Sequence, residues 1–342
     1  MATVPTLTRD QILAFRQTTG GLHERLPRGR RSLRSAAWAG LQDSMPRAAV
    51  LSAHARVDEV PANVWEDPSL VQVWGPRFSA YVVPASDVAV FTLGRLPGDV
   101  RGRDRAYRLA SELEALLGSG AMPFGEAGRA LGVDPNQLRY AAATGSIHIR
   151  WDGARQPTIR AVPAPEVEPG DAQMELARRY LRVFGPATEE GFAGWAGIRR
   201  NDAVAAFSRL GRTLTEVLTP LGSAWLLDRD VEAMQAPRTR DGVVRLLPSG
   251  DAYYLLKGAD RTLLVPDADR AALLWTSRVW PGAIFSDGEI VGTWRRTRNR
   301  VIAQAWYPLP RRLRDAVEAE AATLPLPDDG PVTLIWDESV LA

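Results

Sequence analysis

Three adjacent residues in the stretch GLQDSMP, residues 40–46, have side chains suited to hydrolytic chemistry. Gln42 carries an amide, Asp43 a carboxylate and Ser44 a hydroxyl. A carboxylate can act as a general base, and an amide and a hydroxyl can hold a water molecule by hydrogen bonds. The competing interpretation is structural, because Asp and Ser between two helices are common caps. The sequence leaves both interpretations open at this point.

Two predicted helices, over about residues 31–43 and 46–56, must position these side chains. In a continuous helix, side chains two residues apart point about 200° apart, which would separate Gln42 from Ser44. Pro46 disfavours a helical backbone at Met45. We therefore expect a break in which Gln42 and Ser44 converge. Asp43 would then either cap the second helix or act in catalysis.

Length and composition exclude several classes of site. At 342 residues, the chain is expected to form two to four compact units. It has no cysteine, which excludes disulfides, thiolate zinc sites, iron–sulfur clusters and a cysteine nucleophile. The three histidines, His23, His54 and His148, are too scattered to suggest a metal site, and His54 is expected to be packed. No phosphate-binding or dinucleotide-binding glycine motif occurs, so we predict neither metal nor cofactor.

The N-terminal stretch MATVPTLTRDQILAFRQ lacks the apolar core of a secretion signal. No segment reaches the roughly 18 to 20 apolar residues that a membrane span requires. The expectation is therefore a cytoplasmic protein without a membrane partner.

The basic residues are almost all arginine, and Lys257 is the only lysine. The formal net charge is only +2, so the distribution carries the information. Two runs are dense in Arg, RLPRGRRSLR over 25–34 and WRRTRNR over 294–300. Such runs are typical of phosphate contacts, although a solvated loop or an Arg-rich genome would also produce them. The candidate DNA-contacting residues in these runs are Arg28, Arg30, Arg31, Arg34, Arg295, Arg296 and Arg298.

Residues 103–162 show the clearest local pattern. Apolar positions at helical spacing lead to a glycine stop, and a short second helix ends at Gly132. Asp134 is placed to cap a third segment with Pro135 at its first helical position. Two alternating strands follow, separated by a turn at 153–154. Helices followed by a hairpin in this order predict a winged helix.

Weaker forms of the pattern occur at residues 8–95 and 171–235, and the remainder from 241 is rich in strands. These strands include TLLVP (262–266) and a hairpin with an Asp287-Gly288 turn, and one helix is expected at 311–323. We predict an α+β fold of three tandem winged-helix units plus a strand-rich C-terminal region. The predicted boundaries are 1–98, 99–165, 166–240 and 241–342.

Three further segments are recognisable together: LRVFGPATEEGFAGWAGI (181–198), RLLPSGDAYYLLKGADR (245–261) and AIFSDGEIVGTWRR (283–296). With them the chain resembles, over nearly its full length, the tandem winged-helix family of AlkZ-like DNA glycosylases. Several members of that family remove bulky or crosslinking alkyl adducts from DNA. Within the second segment, Asp251 is expected to cap a turn.

The resemblance also assigns roles near Gln42. The family's active site carries Gln-x-Gln or Gln-x-Asp, followed by a short apolar helix that ends in Arg. Gln42 matches the first position and Arg56 the closing arginine, whereas Ser44 departs from the third position. In GPRFSAYVV, where relatives often show Arg-Gly-Thr-x-His, Arg77 is a partial match and Tyr81 a departure. The resemblance implies Gln42 as catalytic, with Ser44 as a helper. Asp43 stays a candidate catalytic residue with helix capping as its alternative, and Arg56 and Arg77 are candidate DNA-binding residues.

The function implied is a monofunctional DNA glycosylase, acting as a monomer on alkylated or bulky purine adducts in duplex DNA. Bifunctional glycosylases form a Schiff base through an amine, but the sole lysine lies far along the chain from the motif and is expected to make a surface or phosphate contact. The alternative is a non-catalytic winged-helix DNA-binding protein, a lesion binder or transcriptional regulator, which the Ser44 departure favours. Trp151, beside the turn at 153–154, is expected in the core rather than in a DNA groove.

Overall fold

The computed structural model describes residues 4–45, 47–153, 155–236, 242–326 and 330–337. Helices and strands alternate irregularly along these ranges, which confirms the α+β class. The α-helices are α1 Arg9–Thr19, α2 Arg30–Ala36, α3 Ala48–His54, α4 Val88–Phe91, α5 Val100–Leu117, α6 Phe124–Ala130, α7 Pro169–Phe184, α8 Glu189–Ala196, α9 Arg200–Leu210, α10 Val231–Gln235, α11 Asp260–Leu264, α12 Ala268–Leu274 and α13 Arg311–Ala322. The strands are β1 Leu41–Gln42, β2 Leu70–Trp74, β3 Ala80–Pro84, β4 Ala121–Pro123, β5 Ile147–Arg150, β6 Thr158–Ala161, β7 Leu214–Thr219, β8 Gly222–Leu227, β9 Val244–Leu247, β10 Gly282–Ser286, β11 Glu289–Thr297, β12 Arg300–Ala305 and β13 Thr333–Trp336.

The sequence signals for helix ends account for several of these boundaries. Asp99 accepts a hydrogen bond from Gly102 N at the start of α5, and Gly118 follows its last turn. Asp134 caps a ten-residue 3₁₀ segment, Pro135–Thr144, as the sequence predicts for its position. Along α5, Leu109, Leu113 and Leu117 are buried because residues four apart share one helix face.

The first two hairpins belong to one six-stranded sheet of order β1-β3-β2-β5-β6-β4. The hairpins meet where Gln72 of β2 pairs with Ile149 of β5. β1 extends the sheet beyond β3, with Leu41 opposite Val82 and Gln42 opposite Tyr81. Gln42 thus lies on the edge strand of this sheet.

The third hairpin, β7 and β8, forms a separate two-stranded sheet. The helices before it carry an aromatic cluster, in which Tyr180 and Phe184 of α7 pack with Phe192 and Trp195 of α8 at ring distances of 5.1 to 6.4 Å. This cluster belongs to a hydrophobic core that also includes Tyr81. The same core therefore contacts the sheet that carries Gln42.

The C-terminal region forms a five-stranded sheet of order β13-β12-β11-β10-β9. Asp287 and Gly288 connect β10 to β11 with positive φ angles of 47° and 86°, as expected for a hairpin turn of this sequence. Leu247 of β9 pairs with Ala283, and Gly282 pairs with Trp294 of β11. The end of β9 and the Arg-rich end of β11 therefore lie at the same edge of this sheet.

The structure corrects three predictions of local structure. The helix expected over 31–43 ends at Ala36, and Leu41–Gln42 are a strand. The stretch TLLVP is mostly the helix α11 rather than a strand, and α12 was not predicted. In each case tertiary contacts override a short apolar pattern that does not distinguish helix from strand. Pro46 and the Ala154 half of the predicted turn lie outside the described residues.

None of the helices in the described ranges is long and apolar enough to span a membrane. Hairpins follow helices at the three predicted places, but the division into three winged-helix units and the boundaries at 98, 165 and 240 stay a prediction.

Candidate functional site

Gln42 ends the short strand β1, and its amide is the centre of a hydrogen-bonded group. Arg77 Nη2 donates to Gln42 Oε1 at 3.3 Å, and the hydroxyl of Tyr81 donates to the same oxygen at 3.5 Å. Gln42 Nε2 donates to Ser44 Oγ at 2.9 Å. Because guanidinium groups only donate, Arg77 fixes which end of the amide faces Ser44. Gln42 and Ser44 are both half-buried.

The expected convergence of Gln42 and Ser44 is thus present, but a strand end produces it rather than a helix break. Asp43 N donates to Ala80 O at 2.7 Å, which continues the β1–β3 pairing by one residue. The chain then turns towards α3. Ser44 donates no hydrogen bond within the described residues, so its hydroxyl hydrogen is available to a bound molecule.

Asp43 is only 3% exposed, and both of its carboxylate oxygens accept hydrogen bonds. Oδ1 accepts from Ala49 N at 3.1 Å, in the first turn of α3, and Oδ2 accepts from Gln72 Nε2 at 2.7 Å. Burial raises the pKa of this carboxyl from 3.8 to about 6, although the two hydrogen bonds oppose the rise. The geometry is that of a buried helix cap, the first of the two roles that the sequence leaves open.

Arg77 lies in a tight turn between β2 and β3. Its φ of 55° and ψ of 28° are left-handed, and Phe78 also has a positive φ of 56°. Such backbone costs energy and persists where the surroundings impose it. Here a Cβ on Gly197 would lie 2.9 Å from Arg77 Cα, so the end of α8 packs against the turn. Buried Arg95 donates hydrogen bonds to Ala196 O of α8 and to Trp74 O of β2. The turn that presents Arg77 to Gln42 is therefore held by α8.

Tyr81 is buried between two glycines. A Cβ on Gly40 or on Gly75 would come within 2.9 Å of its ring, so both positions require glycine. Burial raises the pKa of Tyr81 to about 12. The phenol therefore remains protonated near neutral pH and serves as a donor to Gln42.

The loop after β9 closes over the amide of Gln42. Gly250 has a φ of 79°, and a Cβ there would lie 3.2 Å from Gln42 Nε2. The next residue, Asp251, is buried and accepts from Tyr253 N at 2.9 Å, the predicted turn cap. The site is thus built from β1, the turn at Arg77 and a loop about 200 residues later.

Arg56 does not lie on the surface, in contrast to its predicted contact with DNA. Its side chain is 5% exposed and forms a bidentate ion pair with Asp251, at 2.7 and 2.9 Å. Its Nε donates to Gly20 O, and its Nη1 donates to Ser52 O. With these donors engaged inside the protein, Arg56 is in a position to hold α3 against the loop of Gly250 rather than to bind phosphate.

The first Arg-rich run is exposed around the start of α2. Arg28 lies 3.6 Å from Glu59, and Arg30 lies 3.3 Å from Asp67, as surface ion pairs. Arg31 and Arg34 are also exposed. Leu33 is buried with Leu41, which ties this helix to β1. The run is therefore accessible and adjacent to the strand that carries Gln42.

The second Arg-rich run follows buried Trp294 into the turn between β11 and β12. Arg295 and Arg298 are exposed and Arg296 is half-buried; Arg295 donates to Val279 O at 3.1 Å. By strand register, this turn lies at the sheet edge that also carries Gly250. The first Arg run thus precedes the strand that carries Gln42, and the second lies at the same end of the C-terminal sheet as the loop of Gly250.

The histidines do not form a metal site, and no group of three or more metal-ligating side chains occurs among the described residues. His54 is buried, and its Nε2 lies 3.1 Å from Thr323 Oγ1. Burial, with the charges of Arg25 and Arg245, lowers its pKa to about 3, so it is neutral. His54 is packed, as the sequence predicts.

Three contributors were missed by sequence reasoning. From the sequence, Tyr81 is only a departure from the family motif, and no signal in the sequence analysis marks Gly250 or Gln72. Gln72 bridges Asp43 to the second hairpin, since Trp151 N donates to its Oε1 at 2.8 Å and its Nε2 also donates to Trp151 O. A polar residue inside an apolar strand, VQVW, is the signal that could have identified Gln72. Trp151 itself is half-buried.

Comparison with known proteins gives a consistent result. A family model described as "DNA glycosylase AlkZ-like" matches residues 36–325. A protein of Streptomyces sahachiroi named "Interstrand DNA cross-link repair glycosylase" is 31% identical over 162 residues, which cover 45% of this chain and 42% of that protein. The chain thus matches less than half of that relative's length.

A solved structure described as the Streptomyces sahachiroi DNA glycosylase AlkZ superposes with a TM-score of 0.78 at 19% identity. The superposition covers 97% of this chain and 99% of that chain. At this level of identity the similarity establishes the fold.

Proposed function

The chain belongs to the AlkZ-like DNA glycosylase family, and we propose that it is a monofunctional DNA glycosylase that hydrolyses the N-glycosidic bond of alkylated or bulky purine adducts in duplex DNA. We propose further that it acts as a monomer in the cytoplasm. The three helix-plus-hairpin units are then winged helices with the boundaries given above. The observation that carries the proposal is the half-buried Gln42 amide, oriented by Arg77 and Tyr81 towards Ser44 at the edge of the six-stranded sheet.

The chemistry suits neutral side chains. An N7-alkylated purine is already cationic, so the C1′–N9 bond breaks with its electron pair moving onto the base, which leaves neutral. The sugar then has oxocarbenium character. Gln42 and Ser44 hold a water molecule, whose oxygen bonds to C1′ and which releases one proton to the solvent. No strong general acid is needed.

The phosphate backbone is bound on both sides of this site. Arg28, Arg30, Arg31 and Arg34 supply one contact surface, and Arg295, Arg296 and Arg298 supply the other. Arg77 is the cation nearest to the reacting sugar, because it contacts Gln42 directly. Arg56 is left out of this set, since Asp251 neutralises it inside the protein. Asp43 supports the site through the cap of α3.

The test is base release from duplex DNA that contains N7-alkylguanine or a bulky natural-product adduct, scored as alkali-labile abasic sites. We expect Gln42→Ala to slow release by about 100-fold, the loss that a misplacement of about 1 Å at a reacting centre can cause, while DNA binding persists. Gln137→Ala removes a Gln amide from the second hairpin unit and is the matched control. Unchanged release by Gln42→Ala would contradict the assignment of Gln42.

One observation favours a second function. Ser44 has a hydroxyl where the family pattern has an amide or a carboxylate, so the water-holding group is smaller. A non-catalytic lesion binder or transcriptional regulator would show salt-dependent DNA binding and no base release from any adduct in the panel. That result would replace the glycosylase proposal.

A further inference from the structure

Two cations, Arg77 and Lys257, approach the C-terminal half of α8 next to the Gln42 site, and Arg261 lies beside Lys257. We call Arg77, Lys257 and Arg261 the cationic cluster. A Cβ on Gly194 would lie 3.8 Å from Lys257 Cδ, and one on Gly197 would lie 2.9 Å from Arg77 Cα. Gly194 and Gly197 are three residues apart and so share one side of the helix end. Arg77 and Lys257 therefore approach the same turn of α8.

Arg261 is fixed beside Lys257 by its own contacts. Its Nε donates to Leu256 O, one residue before Lys257, at 3.0 Å. Its guanidinium carbon lies 4.9 Å from the ring centre of Trp275 and 5.2 Å from that of Trp280. Stacking on two aromatic rings holds the planar group in one place.

The cationic cluster has no acidic partner in the part of the chain that the structure describes. Lys257 is exposed and forms no hydrogen bond or ion pair there, and Arg77 Nε is buried without a hydrogen-bond partner. Buried Arg56 and Arg179 are instead paired with Asp251 and Asp87, whereas buried Arg16 and Arg95 donate to backbone carbonyls. Partial burial, followed by the positive charges of Arg77 and Arg261, lowers the pKa of Lys257.

We propose that the cationic cluster binds one phosphodiester group of the DNA, the one next to the nucleotide whose base is released, and that Lys257 is a binding residue for it. The inference rests on the proposed function, since it names how that site holds its substrate. Three unpaired positive charges repel each other until an anion enters. The C-terminal end of α8 carries a partial negative charge that offsets part of this repulsion in the free protein.

The cationic cluster lies where a bound phosphate would place the adjacent sugar next to the Gln42 amide. Arg77 donates to Gln42 and also belongs to the cluster, so a phosphate bound there is held next to the water-holding amide. The positive charges also neutralise the backbone beside the sugar. Lys257 and Arg261 then position the sugar for attack without contacting the base.

The test measures equilibrium binding to a duplex with a tetrahydrofuran abasic analogue, at several salt concentrations, for the full chain and its variants. For Lys257→Ala we expect the negative slope of log K against log salt to become shallower by about 0.9, which corresponds to the loss of one phosphate contact. We expect Kd to rise several-fold. Lys257→Arg should keep the wild-type slope. Arg312→Ala, which removes an exposed charge on α13, is the control and should change neither quantity.

Thermal unfolding without DNA separates binding from folding. Because Lys257 is repelled by its neighbours, Lys257→Ala should have a Tm equal to or above that of the wild type, whereas a structural role would lower it. An unchanged salt slope for Lys257→Ala would overturn the proposal. So would borohydride trapping of a wild-type protein–DNA adduct that Lys257→Ala abolishes, because Lys257 would then be an amine nucleophile.

The binding assay does not depend on catalysis. If Lys257→Ala shows the reduced slope but no adduct is hydrolysed by the wild type, the phosphate site stands and the glycosylase proposal fails. If the wild type releases the base and Lys257→Ala has an unchanged salt slope, the glycosylase proposal stands and the phosphate site fails.

Discussion

The buried carboxylate of Asp43 connects helix α3 to strand β2. Its Oδ1 holds the first turn of α3, and its Oδ2 holds Gln72, which in turn binds the backbone of Trp151. The sequence predicts a cap at this position, but it could not predict the burial, because Gln72 and Trp151 are distant in the chain. That burial raises the pKa of Asp43 to about 6.

The raised pKa of Asp43 predicts a pH-dependent stability. The folded protein keeps this proton up to about pH 6, whereas the unfolded chain releases it near pH 4. The stabilisation is therefore fully present below about pH 4 and is lost as the pH rises through 6. The rise of the pKa from 3.8 to about 6 corresponds to a total stabilisation of about 3 kcal/mol. Urea unfolding of wild type and Asp43→Asn from pH 4 to 7 measures it.

The quantity to compare is the difference in unfolding free energy, wild type minus Asp43→Asn, since other titrating groups cancel in it. We expect this difference to fall by about 2 kcal/mol between pH 4 and pH 7, because part of the full effect is already lost at pH 4. Asp43→Asn also places an amide opposite Gln72 Nε2, which adds a loss of stability that does not vary with pH. A difference that stays flat or rises with pH would show that Asp43 is charged throughout.

At the scale of elements, the strand β1 decides the geometry, and it is the element that the sequence mispredicts. Ala-rich residues before Gln42 favour a helix, but Leu41 and Gln42 pair with β3 instead. Only the partner strand, about 40 residues later, fixes this choice. Elements with local signals, such as α5 with its apolar spacing and glycine stop and the Asp287-Gly288 hairpin, are predicted correctly because no distant partner is needed.

The loop of Gly250 is the element whose shape the site depends on most. Gly250→Ala would place a side chain in a left-handed backbone, at a cost of about 1 kcal/mol, and would put a Cβ 3.2 Å from Gln42 Nε2. The amide must shift, so we expect base release to fall by about 10-fold or more. Base release and thermal unfolding of the variant measure the two effects.

Gly132→Ala is the matched control for backbone strain. Gly132 also has a left-handed φ, 66°, but a Cβ there would meet nothing within 4 Å. The two variants should lose similar stability, and only Gly250→Ala should lose activity. Equal activity in both would mean that the loop does not constrain Gln42.

At the scale of the whole molecule, the site exists only because the N-terminal and C-terminal regions are held together. Arg56 follows α3 and pairs with Asp251 in the loop after β9, where Ser52 Oγ also donates to Asp251 at 2.7 Å. The sequence places Arg56 in a motif but does not reveal its partner, because the two residues are 195 positions apart. The sequence therefore predicts a DNA contact for Arg56, whereas the structure pairs its side chain with Asp251 inside the protein.

Arg56→Met therefore tests the assembly rather than DNA contact. Removing one member of a buried ion pair leaves an uncompensated charge and costs about 3–5 kcal/mol, so we expect a lower urea midpoint. The double variant Arg56→Met/Asp251→Asn should recover part of this loss, because the charge left behind is removed as well. The salt dependence of DNA binding, measured where the variant is folded, should remain that of the wild type, since Arg56 donates only to groups inside the protein. A reduced salt slope with unchanged stability would return Arg56 to the DNA-binding surface.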